Sequence, residues 1–231
     1  MSTSEDLKRG QMRKISYAMA INEALSEELE RDERVFLMGE DIGVMGGVFS
    51  VTRGLADKFG RDRVKDTPIS EMAILGSAMG AALTGMRPVA EIMRCDFIGV
   101  CLDEVLNQMS KRRYSSGGQL TVPLVVRLCA GASLNSGPDH SQSLEAFLVH
   151  IPGVKVVFPS TPYDAKGLLK AAIRDDNPVM FFEHRGLYYG VSGEVPEEEY
   201  TIPLGKGDIK REGSDVTVVA TARMVHIALA A

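Results

Sequence analysis

The 231-residue chain contains no tryptophan, and aromatic residues make up only 6%. Single-stranded nucleic acid is gripped by stacked aromatic rings, so that class of binding is disfavoured. Basic excess is missing too: 26 Lys and Arg stand against 31 Asp and Glu, for a net charge of -5. A partner built of phosphates is therefore not expected. Cysteine is scarce, with Cys95, Cys101 and Cys129 alone, and no pair has CxxC spacing. Three such residues in apolar stretches make no disulfide framework and read as inert thiols in a reducing, cytoplasmic setting. No apolar run reaches the ~18 residues of a membrane span. The first residues, MSTSEDLKRGQMRK, are polar and include two acids. They resemble neither a secretory h-region nor a transit peptide.

What is present is ordinary globular material, with 45% hydrophobic and 25% charged residues. Coiled coils and disordered chains lie outside those values. At this length the chain is one large domain or one and a half. Apolar runs over 35–41, 88–93, 122–131, 154–160 and 178–184 read as strands. Several are apolar on both faces, as buried parallel strands are. Helical periodicity falls between them, over 15–31, 70–85, 97–113, 141–150 and 163–174. The alternation predicts an α/β fold with a mainly parallel sheet flanked by helices. After Tyr189, a stretch rich in Gly, Pro and acids reads as a surface linker. DVTVVAT (215–221) then reads as a strand and MVHIALAA (224–231) as the opening of a helix.

Four segments could carry chemistry. In DTPISEMAILGSAMGAALTG (66–85), Ser70 is placed as a helix N-cap and Glu71 falls in the first turn. An acid there can simply complement the helix dipole. The same helix carries small residues, Ala73, Gly76, Ser77, Gly80, Ala81 and Thr84, which permit close approach by another subunit or domain. A carboxyl at the edge of such an interface is desolvated and suited to proton exchange with a ligand. GPDHSQS (137–143) places His140 in a loop; its neighbours in sequence cannot converge with it as a triad. GEDIGVMGGVF (39–49) puts Glu40 at a strand's carboxyl end, where open α/β sheets bind ligands. It is neither GxGxxG nor a P-loop. AAIRDDNPV (171–179) reads as a polar αβ turn; its carbonyls, with Asp175 and Asn177, could also meet a hard cation.

Taken in order, AINEALSEELERDERVFLMGEDIG, GGVFSVTRGL, DTPISEMAILGSAMGAAL, DHSQSLEAF, PGVKVVFPSTPYDAKGLLKAAIRDDNPV and EGSDVTVVA resemble the β subunit of the E1 component of 2-oxo acid dehydrogenase complexes. That group covers pyruvate, branched-chain and acetoin dehydrogenases. LDEVLNQ, HIPGVKVVFPSTPYDAKGLL and RMVHIALAA look nearest to the acetoin type.

The resemblance implies a thiamine diphosphate enzyme in which an α subunit joins β as α2β2. The cofactor lies across the interface. The α subunit would hold the diphosphate and Mg2+, since the GDG…N motif for that task is missing here. Residues 12–190 would form the transketolase-like pyrimidine-binding domain, 191–213 a linker, and 214–231 the truncated start of a second α/β domain. Val216, Val218, Val219 and Ile227 would then lack cover.

Residue by residue, Glu71 matches the glutamate that hydrogen-bonds N1′ of the aminopyrimidine. Met93 and Phe97 match positions that pack on the pyrimidine ring, and Glu40 an acid behind the site. His140 matches the histidine that assists transfer to the lipoyl group of an E2 acyltransferase. Leu124, Ala172, Ile173, Asp175 and Asn177 match positions that bind K+ in several members. The substrate would be a small 2-oxo acid or acetoin. Val100 stands where pyruvate-specific members often carry Gln. The alternatives are a non-catalytic assembly subunit and a fragment of a single-chain transketolase-type enzyme.

Overall fold

The computed structural model describes residues 11–132 and 135–231. The chain opens with β1 (Met12–Ser16), α1 (Tyr17–Arg31) and β2 (Val35–Gly39). There follow α2 (Leu55–Phe59), β3 (Val64–Asp66), α3 (Glu71–Leu83) and β4 (Arg87–Ile92). After an irregular helical stretch come α4 (Arg112–Ser115), β5 (Val125–Ala130), α5 (Glu145–Val149) and β6 (Lys155–Val157). The chain continues through α6 (Pro162–Arg174), β7 (Val179–His184), β8 (Ser192–Pro196) and α7 (Ala222–Ala230).

Six strands form one sheet in the order β3-β2-β4-β5-β7-β6, and every pair is parallel. The expected α/β fold with a mainly parallel sheet is what forms. Its strands bury side chains on both faces, as the alternation in β5 and β7 shows. Val125, Cys129, Val179 and Phe181 join one core cluster with α1 and α6. Val126, Leu128, Ala130, Met180 and Phe182 join the other, with α3, the irregular stretch and α5. β1 and β8 pair antiparallel as a separate ribbon. β8 thus lies inside the segment read as a linker.

Two sequence readings need correction. Residues 97–113 do not form one helix. Cys95–Cys101 is a 3-10 helix, Glu104–Met109 a π-helix, and α4 is a single short turn. The buried residues explain it. Cys95, Ile98 and Cys101 recur every third position, and Cys101, Val105 and Met109 every fourth. Keeping them all on the sheet requires a tight pitch followed by a wide one.

Residues 215–221 do not form a strand, because no neighbouring strand offers hydrogen bonds. Val216, Val218, Val219 and Ile227 are exposed, as expected. The helix read over 224–231 begins two residues earlier, as α7. It docks through Ala222 and Val225, while His226 Nε2 meets Ser160 O at 2.7 Å. The helical pattern over 141–150 narrows to α5.

Candidate functional site

The carboxyl ends of β2 and β4 create the site. A Cβ on Gly39 would lie 2.9 Å from Glu91 Cβ, so only glycine lets the end of β2 approach β4. Asp41 then turns the chain with φ of 56°, leaving Glu40 buried at the sheet edge. The loop beyond is tied down by Asp66, which accepts from Gly43 N (2.6 Å) and Val44 N (3.2 Å). Thr52 Oγ1 donates to Ile42 O at 2.7 Å.

Glu71 begins α3 and is 9% exposed. Ser70 occupies the N-cap position as read, but its hydroxyl makes no capping bond. Among the described residues, the Glu71 carboxylate has no hydrogen bond or ion pair. Glu40 Oε1 is likewise buried without a partner. Burial, and then the charge of Glu71, push the Glu40 carboxyl above the usual carboxylate range. Two buried acids therefore lie close enough for one to feel the charge of the other.

A second pair comes from the opposite side. Phe97 meets His140 edge to face, with ring centroids 5.4 Å apart. Asp139 Oδ1 lies 3.4 Å from His140 Nδ1. The histidine loop is fastened to the start of the irregular helix. Gln142 N donates to Asp96 Oδ1 at 3.1 Å, and Gly131 N donates to Gln142 O at 2.8 Å. Met93 lines a small cavity with Phe49, Cys129 and Tyr188, on the face covered by α1 and α6.

Exposed apolar side chains stand on the adjoining segments: Val44 and Met45 in the loop after β2, Ile69 and Met72 around the start of α3, and Val100 on the 3-10 helix. The outer face of α3 is open as well. A Cβ on Gly76 or Gly80 would touch nothing within 4 Å. The fit to an aminopyrimidine is good: an unpaired buried carboxyl, a second acid behind it and an aromatic ring nearby.

The proposed K+ ligands do not present a cage. Ile173 O and Asp175 O accept from the Arg87 guanidinium at 2.9 and 2.8 Å. Leu124 O accepts from Val179 N, and Ala172 O from Asp175 N. Asp175 also pairs with Lys155, and its Oδ1 accepts from Asn177 N and Nδ2. The turn is closed by the chain's own cations.

Sequence reasoning missed the charges next to this centre. Arg127 donates to Glu183 (2.6 and 2.7 Å) and to Glu91, forming a buried triad across β4, β5 and β7. Arg94 is 4% exposed, and its Cζ lies 5.2 Å from the Phe49 ring centroid. In sequence, Arg94 looks like an ordinary solvated charge two positions after a buried strand, with Asp96 beside it.

Comparison with known proteins adds the family. The sequence profile described as "Transketolase, pyrimidine binding domain" matches residues 13–190. The chain is 51% identical over 217 residues to 2-oxoisovalerate dehydrogenase subunit beta of Bacillus subtilis (strain 168), covering 94% of this chain and 66% of that one. It is 52% identical to the acetoin:2,6-dichlorophenolindophenol oxidoreductase subunit beta of the same organism, with 95% and 67% covered. Identity to that organism's pyruvate dehydrogenase E1 component subunit beta is 50%, with 95% and 68% covered. The chain thus spans about two thirds of the length of these relatives. Among solved structures, a split-gene transketolase in the form of an inactive β4 tetramer superposes with a TM-score of 0.72 at 21% identity. It covers 94% of this chain and 65% of that one.

Proposed function

The chain belongs to the transketolase pyrimidine-binding domain family, among the β subunits of 2-oxo acid and acetoin dehydrogenases, and from that premise we propose that it supplies the aminopyrimidine half of a thiamine diphosphate site shared with an α subunit. The observation that carries this reading is the Glu71 carboxyl, 9% exposed and without a partner among the described residues. A buried acid left unpaired is costly unless a ligand completes it.

Glu71 would hold a proton against N1′ of the pyrimidine, and Glu40 behind it would keep the region acidic. Phe97 would pack on the ring, and Met93 would limit the depth of the pocket. His140, held by Phe97 and the Gln142 anchors, would serve proton exchange during acyl transfer to a lipoyl-bearing E2 partner. The bound cofactor supplies the carbanion chemistry that decarboxylates a 2-oxo acid or cleaves acetoin. Its diphosphate and Mg2+ would belong to α. The exposed apolar side chains and the bare face of α3 are where that subunit, and a second β in α2β2, would cover the site.

Glu71→Gln in the assembled αβ enzyme tests the reading. Exchange of the cofactor's C2 proton, followed by NMR, should slow by about 10²- to 10⁴-fold while the cofactor still binds. Exchange at the wild-type rate refutes the assignment.

A further inference from the structure

Three guanidinium groups gather where β4 and β7 end, and none of them has an acid partner among the described residues. Arg94 follows β4 by two positions and is 4% exposed. Its one polar contact there is a weak donation to Cys129 Sγ at 3.9 Å. Arg185 directly follows β7, and its Cζ lies 5.0 Å from the Phe49 centroid, close to Arg94's 5.2 Å. Arg223 on α7 reaches the same corner. Burial, and then the Arg223 charge, hold the His184 imidazole below its ordinary pKa.

A cation taken out of water is strongly disfavoured unless an anion meets it. Of the buried acids nearby, Glu91 and Glu183 are already bound to Arg127, and Glu40 makes no ion pair with either arginine. Arg223 is exposed to solvent, so the cations left for a ligand to answer are buried Arg94 and part-exposed Arg185. The corner therefore holds two guanidiniums at a single ring, neither with an ion-pair partner among the described residues. Planar guanidiniums match a carboxylate, donating paired N–H groups to its two oxygens.

The position fits a substrate. Arg94 is the residue after Met93 and three before Phe97. Arg185 Nη1 donates at 2.8 Å to Ser136 Oγ, four residues before His140. The arginine pair is thus attached to both sides of the proposed centre. We propose that Arg94 and Arg185, set on the Phe49 ring, receive the carboxylate of a small 2-oxo acid substrate. Acetoin is uncharged and offers nothing to this pair. This rests on the reading of the Glu71 centre only for the identity of the reaction, since the carboxylate contact needs no cofactor.

The test is calorimetric binding to the full chain assembled with its α partner, without thiamine diphosphate. The probes are 2-oxoisovalerate, acetoin and inorganic phosphate. The acid should bind more tightly than acetoin. Arg185→Met should weaken it about tenfold or more, and Arg185→Lys should restore part of the loss. Arg94→Met should act in the same direction. Should that variant fail to fold by circular dichroism, the part-exposed Arg185 variants decide alone. Undiminished affinity in Arg185→Met overturns the proposal. So does phosphate binding as tightly as the acid with the same dependence on Arg185, because the site would then be a general anion site. Because cofactor is omitted, failure here leaves the C2-exchange test of Glu71 unaffected.

Discussion

Two regions of this molecule treat buried charge in opposite ways. Between α1 and α6 each buried charge is answered. Lys166, fully buried, meets Glu23 and Glu27; Lys170, equally buried, meets Glu27 and Glu199. Arg174 closes the set on Glu28 and Glu199. At the carboxyl edge of the sheet, Glu71, Glu40 and Arg94 are also buried, though less completely, and form no ion pair among the described residues. Both regions are built from the same residue types, so composition does not separate them. What differs is completion: the first region is satisfied within the chain, and the second is where the proposed cofactor and partner subunit would complete the charges. A fold tolerates such groups only when the rest of it overcompensates, and here the compensation sits under the site itself. The Glu91–Arg127–Glu183 triad and Tyr188, whose hydroxyl donates to Glu183 at 2.8 Å, anchor β4, β5 and β7 together.

The largest effect should come from breaking that anchor. Arg127→Met leaves two carboxylates buried without their cation. Glu91 is already pushed upward by burial, which Arg127 offsets only in part. Removing one member of a buried ion pair costs about 3–5 kcal/mol. Urea denaturation should show a loss of that size. A loss under about 1 kcal/mol would mean that the triad is no more completed than the open edge, and the contrast between the regions would fail.

The sequence made the completed region easier to read than the open one. Strands β2, β4, β5 and β7 were legible because each is apolar on both faces, and α1, α3 and α6 because their buried positions keep a helical period. The segment after β4 misled, since one apolar pattern served two helical pitches. DVTVVAT misled in another way: its composition suits a strand, yet a strand also needs a neighbour to bond with. In the site, Glu71, Glu40 and His140 stood out by their place at a helix start, a strand end and a loop, while Phe97 and the roles of all four came through family resemblance. Their arrangement as two pairs came from the fold. Arg94 and Arg185 went unread because each looks like an ordinary solvated charge at a strand end. Only burial and the shared Phe49 ring distinguish them.

A smaller effect should appear at Glu40, with the opposite sign. Its folded pKa is raised above the unfolded value near 4.5. The penalty is therefore absent below the unfolded value and complete once the pH has passed the folded one. Glu40→Gln should stabilise the unliganded chain at pH 7 by about 1 kcal/mol, or about 2–4 °C in Tm. At pH 4 the two proteins should melt together. A lower Tm for the variant at pH 7 would show that the carboxylate has a stabilising partner, and that this edge is complete after all.

The smallest effect belongs to the surface of the completed region, where the pH dependence runs the other way. Hydrogen bonding from Lys170, helped by Arg174 and opposed by burial, lowers the Glu199 carboxyl from 4.5 to about 2. A depressed acid contributes stability that is present above the unfolded value and lost as pH falls towards the folded one. Glu199 is 60% exposed, so solvent screens most of that gain. Lys170 also keeps Glu27 when Glu199 is changed. Glu199→Gln should therefore cost less than about 1 kcal/mol at pH 7. The difference should shrink between pH 4.5 and about 2, and also on adding salt. If the cost instead approached that of Arg127→Met, a single exposed acid would be sustaining the buried lysines. Completion of charge would then depend on one bond rather than on the shared network of Glu23, Glu27, Glu28 and Glu199.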